Sequence, residues 1–389
     1  MSIASGVCKT LAANRRYKSS DRNVGSISGF KGIGDYDSSL NMILYSCGHH
    51  RSPLLDSYTA QGEFDCSDFI SLPKELKPCL TKFMININNK DLCNGLEFRD
   101  NSGLTIGAED SKYFIYFVQR LDNDRDNSEK TMGTNSLRAY HTNINTINNE
   151  LDHIIVGVHP SIFGVLIPPK TTNFLNVGHC SSKCFNQKIP EKGLTIMGVQ
   201  PHVHTSGTKI KIRHFHDNNE LDVILYVDHY NESTNKYYKP IHRVQFKEND
   251  TLSVECLFNN DLDNETRVTL TGKFDHNYGD MCYAYIYYYP KINVTSNICS
   301  SMNDEQTILD IADINELSGY WNSPEPIIRR PIYLNNTRLE DHLRRKIYYR
   351  DDIQQLLRLS PKRIRCDIIP QKTESSHLAY INYPDRFGK

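Results

Sequence analysis

Apolar residues in this chain fall in short runs set between turns rich in Asn, Asp and Gly. Asn41-Met-Ile-Leu-Tyr-Ser46 and Lys112-Tyr-Phe-Ile-Tyr-Phe-Val-Gln119 are two such runs, dense in aromatic and β-branched residues. Those residue types suit a pleated, half-buried backbone. Further along, the runs come closer together: Ile154–Val158, Leu194–Val199, Ile210–Arg213, Val223–Val227, Leu252–Glu255 and Tyr283–Tyr287. Their spacing predicts the strands of a sandwich. The expected fold class is all-β, with two consecutive antiparallel, jelly-roll-like β-sandwich domains over 31–130 and 133–300. A C-terminal extension over 301–389 is expected to be partly helical. There, Leu339, Leu343, Ile347, Ile353, Leu356 and Leu357 lie roughly on one helical face, which predicts one amphipathic helix or two short ones. Residues 1–30 are polar and expected to be poorly ordered. The polar stretch Leu121–Glu129 reads as a loop or linker.

Composition changes this picture mainly by exclusion. The 389 residues suffice for two or three domains with cores of their own. Lys+Arg is 45 and Asp+Glu 46, so no field of one sign points to nucleic acid as a partner. No run of apolar residues is long enough to predict a membrane span. The 11 cysteines include no CxxC pair and are scattered along the chain, which predicts disulfides and an oxidising compartment. The sequons at Asn231, Asn264, Asn293 and Asn335 agree with a secreted glycoprotein. The amino terminus lacks the apolar stretch of a signal peptide. Either the protein is not secreted, or the true start of the gene lies outside this sequence.

Two elements carry chemistry. The first is Gln200-Pro-His202-Val-His204-Thr-Ser-Gly207. On a strand, residues two apart share a face, so two imidazoles there can grip one ion. With 15 histidines an HxH pair arises readily by chance, and a second one, His214-Phe-His216, is expected merely to decorate a strand end. The other element is Glu255-Cys256 with Gly279-Asp-Met281-Cys282-Tyr-Ala-Tyr-Ile-Tyr-Tyr-Tyr-Pro290; alone, Met281 reads as a core methionine. Together the two elements resemble the copper type II ascorbate-dependent monooxygenases, in particular the dopamine and tyramine β-hydroxylase group. The resemblance implies one copper ion held by His202, His204 and Met281, with Asp280 where the family carries glutamate. A thioether beside two imidazoles suits Cu(I). Also implied are ascorbate as reductant, O2 and a small-molecule amine as substrates, and a secreted or secretory-vesicle location. The implied disulfides are Cys47–Cys79, Cys180–Cys299, Cys184–Cys366 and Cys256–Cys282. By the resemblance Cys66 should pair with a cysteine of an upstream strand that is not visible in this sequence, with Cys8 or Cys93 as substitutes.

The resemblance then breaks down. It calls for a second, electron-relay copper held by three histidines in the first domain. Leu40, Asn41 and Gln119 stand in those places, so this site is expected to be lost. His49 and His50 read as loop histidines. Gln200 stands where the peptide-amidating branch has an arginine to grip a carboxylate, which favours a phenylethylamine-like substrate. Tyr283 and Tyr285 are expected either to line the pocket or to pack in the core. Two rivals to the enzyme remain: a non-catalytic secreted copper-binding or interaction module on the same fold, and an incompletely predicted gene product that lacks its first strand.

Overall fold

A computed structural model describes residues 6–12, 25–33, 40–47, 53–61, 63–65, 82–88, 96–98, 101–107, 113–120 and, with short breaks, 136–318. It also describes 327–330, 337–345, 350–366, 377–378 and isolated positions between 73 and 79. The N-terminal half runs through β1 (Gly6–Ala12), β2 (Gly25–Ile33), β3 (Leu40–Ser46), helix α1 (Pro53–Gln61), β4 (Glu63–Asp65), β5 (Lys82–Asn88), β6 (Ser102–Ile106), β7 (Tyr113–Arg120) and β8 (Ser136–Asn143). One sheet has the order β4-β1-β7-β3-β5, while β2 pairs with β6 and β8 in another. A core including Phe30, Ile43, Leu55, Ile85 and Ile115 belongs to this half.

The C-terminal half comprises β9 (Asn149–Val158), β10 (Thr171–Ser181), β11 (Leu194–Val203), β12 (Gly207–His216), β13 (Asp250–Asn260), β14 (Cys282–Tyr289), β15 (Ile298–Asn303), α2 (Glu305–Ala312), α3 (Leu339–Arg345), α4 (Arg350–Leu359) and β16 (Lys362–Arg365). One sheet runs β11-β14-β9-β15-β16; the other runs β10-β13-β12. Val156, Val199, Val254, Phe258 and Ile286 fill the space between them, fully buried. The molecule is therefore all-β with few helices, as the runs predict.

Strand β14 is buried on both faces. Cys282, Ala284, Ile286 and Tyr288 enter the C-terminal core. Tyr285 and Tyr287 belong to the N-terminal core, with Tyr283 and Tyr289 packed against it. Strict alternation makes this possible, because successive side chains leave a strand on opposite sides. The Tyr287 hydroxyl donates to the Met84 carbonyl of β5 at 3.0 Å, so the tyrosine row ties one sandwich to the other.

Three expectations change. Residues 6–12 form β1 and residues 25–30 begin β2, and β1 lies between β4 and β7 in its sheet; both strands are placed by pairing partners distant in sequence. The anticipated break at 130–133 is bridged, since β8 pairs with β2 and β6 pairs in parallel with β9. The C-terminal extension is no appendage. Strand β16 pairs with β15, and Ile308, Ile311, Leu339, Leu343, Ile353 and Leu357 join the C-terminal core. The expected helical stretch resolves into the two short helices α3 and α4. The side chain of Gln354 on α4 accepts from the Leu175 amide at 2.8 Å and donates to its carbonyl at 2.9 Å. It thus serves as a strand partner for the free edge of β10. All four disulfides implied by the resemblance are present. Cys8 lies in β1; Cys66, Cys93 and the stretch 121–129 lie outside the described residues.

Candidate metal centre

The first motif ends β11. His202 and His204 are 6 % and 3 % exposed, with ring centroids 5.1 Å apart and planes crossing at 74°. The glycine of the motif closes the turn that follows: the Gly207 amide donates to the His204 carbonyl at 2.8 Å. A Cβ at position 207 would lie 2.1 Å from Val203 Cγ1, so no larger residue fits without displacing β11.

The β11–β14 register places His202 opposite Tyr283 and Val203 opposite Cys282. Continued one residue, it sets Met281, half-buried, beside His204. Cross-strand neighbours share a face, so the register brings the three sequence-derived residues into one row. Two covalent or charged anchors flank Met281. Cys282 is joined to Cys256 of the opposite sheet. Asp280, fully buried, accepts from the Ser206 hydroxyl and from Arg267 Nη1 at 3.3 Å. Because Ser206 lies in the turn after His204, Asp280 straps that turn to the segment leading into Met281. The shorter carboxylate at this position thus has a structural task of its own.

The row faces the N-terminal half. Tyr283 stacks on His202 with centroids 4.8 Å apart, and Tyr285 meets it edge-on at 6.2 Å. Burial holds the Tyr45 and Tyr285 phenols well above their usual range, and the nearby Tyr283 adds to this, so both stay neutral. Tyrosines 283 and 285 therefore do both things the sequence allowed: they pack between domains and they wall the histidines. From β5, Asn86 Nδ2 comes within 3.4 Å of His202 Nδ1. Gln200 Nε2 donates to the backbone carbonyl of Asn86. The remaining amide oxygens, Asn86 Oδ1 and Gln200 Oε1, are buried without a hydrogen-bond partner. Asn86 carries no motif and sits in an Asn-rich strand, Lys82-Phe-Met-Ile-Asn-Ile-Asn88; nothing local in the sequence marks it.

These residues fit a copper ion in their donor chemistry. Among the described residues no three His, Cys, Asp or Glu side chains converge as a metal-binding group. A site built on His202 and His204 therefore needs a ligand of another kind, and a thioether in the same row supplies one suited to Cu(I). The other HxH motif is engaged differently. His214 Nε2 and His216 Nδ1 bind the two oxygens of Asp250, at 2.7 and 2.6 Å, a carboxylate-bridged pair at the end of β12. At the expected relay position, Asn41 and Gln119 are direct cross-strand partners, so the strands bring together the places where the resemblance calls for histidines. His49 and His50 lie outside the described residues.

Comparison with known proteins points the same way. The sequence profile of the copper type II ascorbate-dependent monooxygenase C-terminal domain matches residues 154–312. The chain is 25% identical to mouse (Mus musculus) DBH-like monooxygenase protein 1 over 278 residues, 70% of this chain and 44% of the relative. It is 25% identical to dog (Canis lupus familiaris) dopamine beta-hydroxylase over 265 residues, 65% of this chain and 39% of that protein. With Caenorhabditis briggsae tyramine beta-hydroxylase it shares 26% identity over 220 residues, 55% of this chain and 35% of the relative. The chain thus spans less than half the length of these relatives. The profile covers both histidines and the methionine of the row, so residues 154–312 are similar to the C-terminal domain of the copper type II ascorbate-dependent monooxygenases.

Proposed function

We propose that this protein is a copper-binding monooxygenase of the dopamine β-hydroxylase-like group. His202, His204 and Met281 would hold its single copper ion, and ascorbate would supply electrons for O2-dependent C–H hydroxylation of a phenylethylamine-like amine. The observation that supports this reading is the β11–β14 register, which pairs Val203 with Cys282 and, continued by one residue, would set the Met281 thioether beside the two buried imidazoles. Bound there, copper would supply the O2 chemistry that no side chain of the site can perform. The chain's own contributions are positional. Tyr283 stacks on His202 and limits its rotation. Tyr45 and Tyr285 are kept as neutral phenols by burial, and Tyr285 meets the His202 ring edge-on. Gln200 brings no positive charge, and its amide is already engaged with Asn86, which disfavours a peptide carboxylate as substrate. Four disulfides support an oxidising compartment, hence a secreted or vesicular protein. No helix among the described residues is long and apolar enough to cross a membrane.

One observation favours a second reading, a non-catalytic secreted copper-binding or interaction module. Hydroxylation consumes R–H, O2, two electrons and two protons and yields R–OH and water. A single copper stores one electron, and Asn41 and Gln119, paired across β3 and β7, stand where the resemblance calls for relay-site ligands. The deciding experiment is oxygen uptake by the copper-loaded full chain with ascorbate. Tyramine-dependent uptake matched by a side-chain-hydroxylated product supports the enzyme. No uptake with tyramine or related phenylethylamines, from protein that demonstrably holds copper, leaves the module.

A further inference from the structure

Within the reading that His202 is a copper ligand, we infer that Asn86, contributed by the N-terminal half, is a positioning residue that selects the nitrogen through which His202 binds metal.

A neutral imidazole carries one N–H and one lone pair, and the ring nitrogen that binds a metal must be the unprotonated one. The partner of the other nitrogen therefore fixes which end of the ring faces the ion. In this structure the partner at Nδ1 is the side-chain amide of Asn86, 3.4 Å away. Asn86 is 4 % exposed, and its own Oδ1 is buried without a partner. Facing Nδ2 toward Nδ1 holds the ring with its proton on Nε2. The two ends of a carboxamide are nearly isosteric, so a half-turn of the group changes little in the packing. After that half-turn Oδ1 accepts from Nδ1–H, Nδ2 takes the place that Oδ1 leaves, and the Nε2 lone pair becomes the metal-binding end.

The placement of Asn86 is itself secured. Gln200, two residues before His202 on β11, donates through Nε2 to the Asn86 backbone carbonyl. Asn86 lies opposite Ile43 in the β3–β5 register, deep in the N-terminal sheet rather than in a loop. Tyr283 on the other side stacks against the ring. His202 is thus held on its face by its own strand pair and at its Nδ1 edge by the other sandwich. A consequence follows for the whole chain: metal affinity at the C-terminal site depends on contact with the N-terminal half.

The test compares full-length wild type with Asn86→Asp and Asn86→Ala. Aspartate keeps an acceptor at this position and removes the donor; alanine removes both. Two readouts are needed. Imidazole nitrogen-15 NMR reports the His202 tautomer in copper-free protein, and anaerobic competition with a Cu(I) chelator reports affinity. The expected results are a proton on Nδ1 in wild type and in Asn86→Asp, and Cu(I) affinity in Asn86→Asp within a few-fold of wild type. Asn86→Ala should bind Cu(I) about 10- to 100-fold more weakly, the usual effect of removing such a hydrogen-bond partner. A wild-type proton on Nε2, or an aspartate variant that loses as much affinity as the alanine variant, overturns the inference. The tautomer readout on wild type decides even if Asn86→Ala fails to fold. Wild type that binds no Cu(I), or binds it undiminished in His202→Ala, refutes the copper site itself, an outcome distinct from both.

Discussion

Arg213 on β12 and Glu255 on β13 form an ion pair at 2.8 Å, their side chains 2 % and 1 % exposed, while Arg213 also binds Glu220. Burial pushes the Glu255 carboxyl up, with Arg213 pulling against it, so the charge of Glu255 depends on its partner. Arg213→Met should cost about 3–5 kcal/mol, because it strands a buried charge, and adding Glu255→Gln should restore much of that loss. Urea denaturation of both variants checks it; equal stability of the single and double variants would contradict the pairing. A pH dependence follows from His179, whose Nδ1 bonds to Ser253 Oγ at 2.7 Å. Burial first, and the Lys362 cation second, lower its pKa from 6.5 to about 3. The folded state therefore refuses a proton that the unfolded chain accepts between those values. Stability should fall as pH drops from about 6.5 toward 3, by about 1.4 kcal/mol per pH unit from this group. His179→Gln should flatten that limb in denaturation curves taken at pH 7, 5 and 4; an unchanged slope would contradict it. Legibility differs at this scale. His202, His204 and Met281 stand out in the sequence through the family resemblance, and as ligands they belong to the proposal. Asn86 and the anchoring work of Asp280 do not stand out, since each acts through a partner far away in sequence.

Secondary-structure elements were more legible than single contacts. Apolar and aromatic runs marked β3, β7, β9, β11, β12, β13 and β14, because burial leaves a periodic trace in a strand. What the runs could not reveal is pairing. Strand β1, in a polar segment, and β8, across the expected boundary, are held by partners over a hundred residues away. Only cysteines and motif spacing carry such long-range information in the chain itself. The Cys256–Cys282 disulfide makes a prediction at this level. It closes a segment with a sequence separation of 26, which chain entropy values at about 3 kcal/mol. It also pins β14 beside Met281. The paired Cys256→Ser and Cys282→Ser variant should lose roughly that stability in thermal or chemical melts and should bind Cu(I) more weakly. Unchanged Cu(I) affinity would show that the bond does not hold the row in place. Gln354, which satisfies the edge of β10, is expected to contribute less, since it is only part-buried.

At the scale of the whole molecule, two sandwiches meet through the odd-numbered tyrosines of β14, and the histidine row lies on that shared face. The proposed site thus draws on residues from both halves. The proposed loss of the relay ligands belongs to this scale too: Asn41 and Gln119 lie side by side in the N-terminal sheet, so the account predicts one tight Cu(I) equivalent per chain in an anaerobic titration, and two would contradict it. The central claim is that two imidazoles and one thioether share a cuprous ion. X-ray absorption at the copper edge of the chain loaded with one Cu(I) tests it most directly. The account predicts nitrogen scatterers together with a single sulfur scatterer, the sulfur vanishing in Met281→Ile. A spectrum without sulfur, or one whose sulfur persists in that variant, would contradict it.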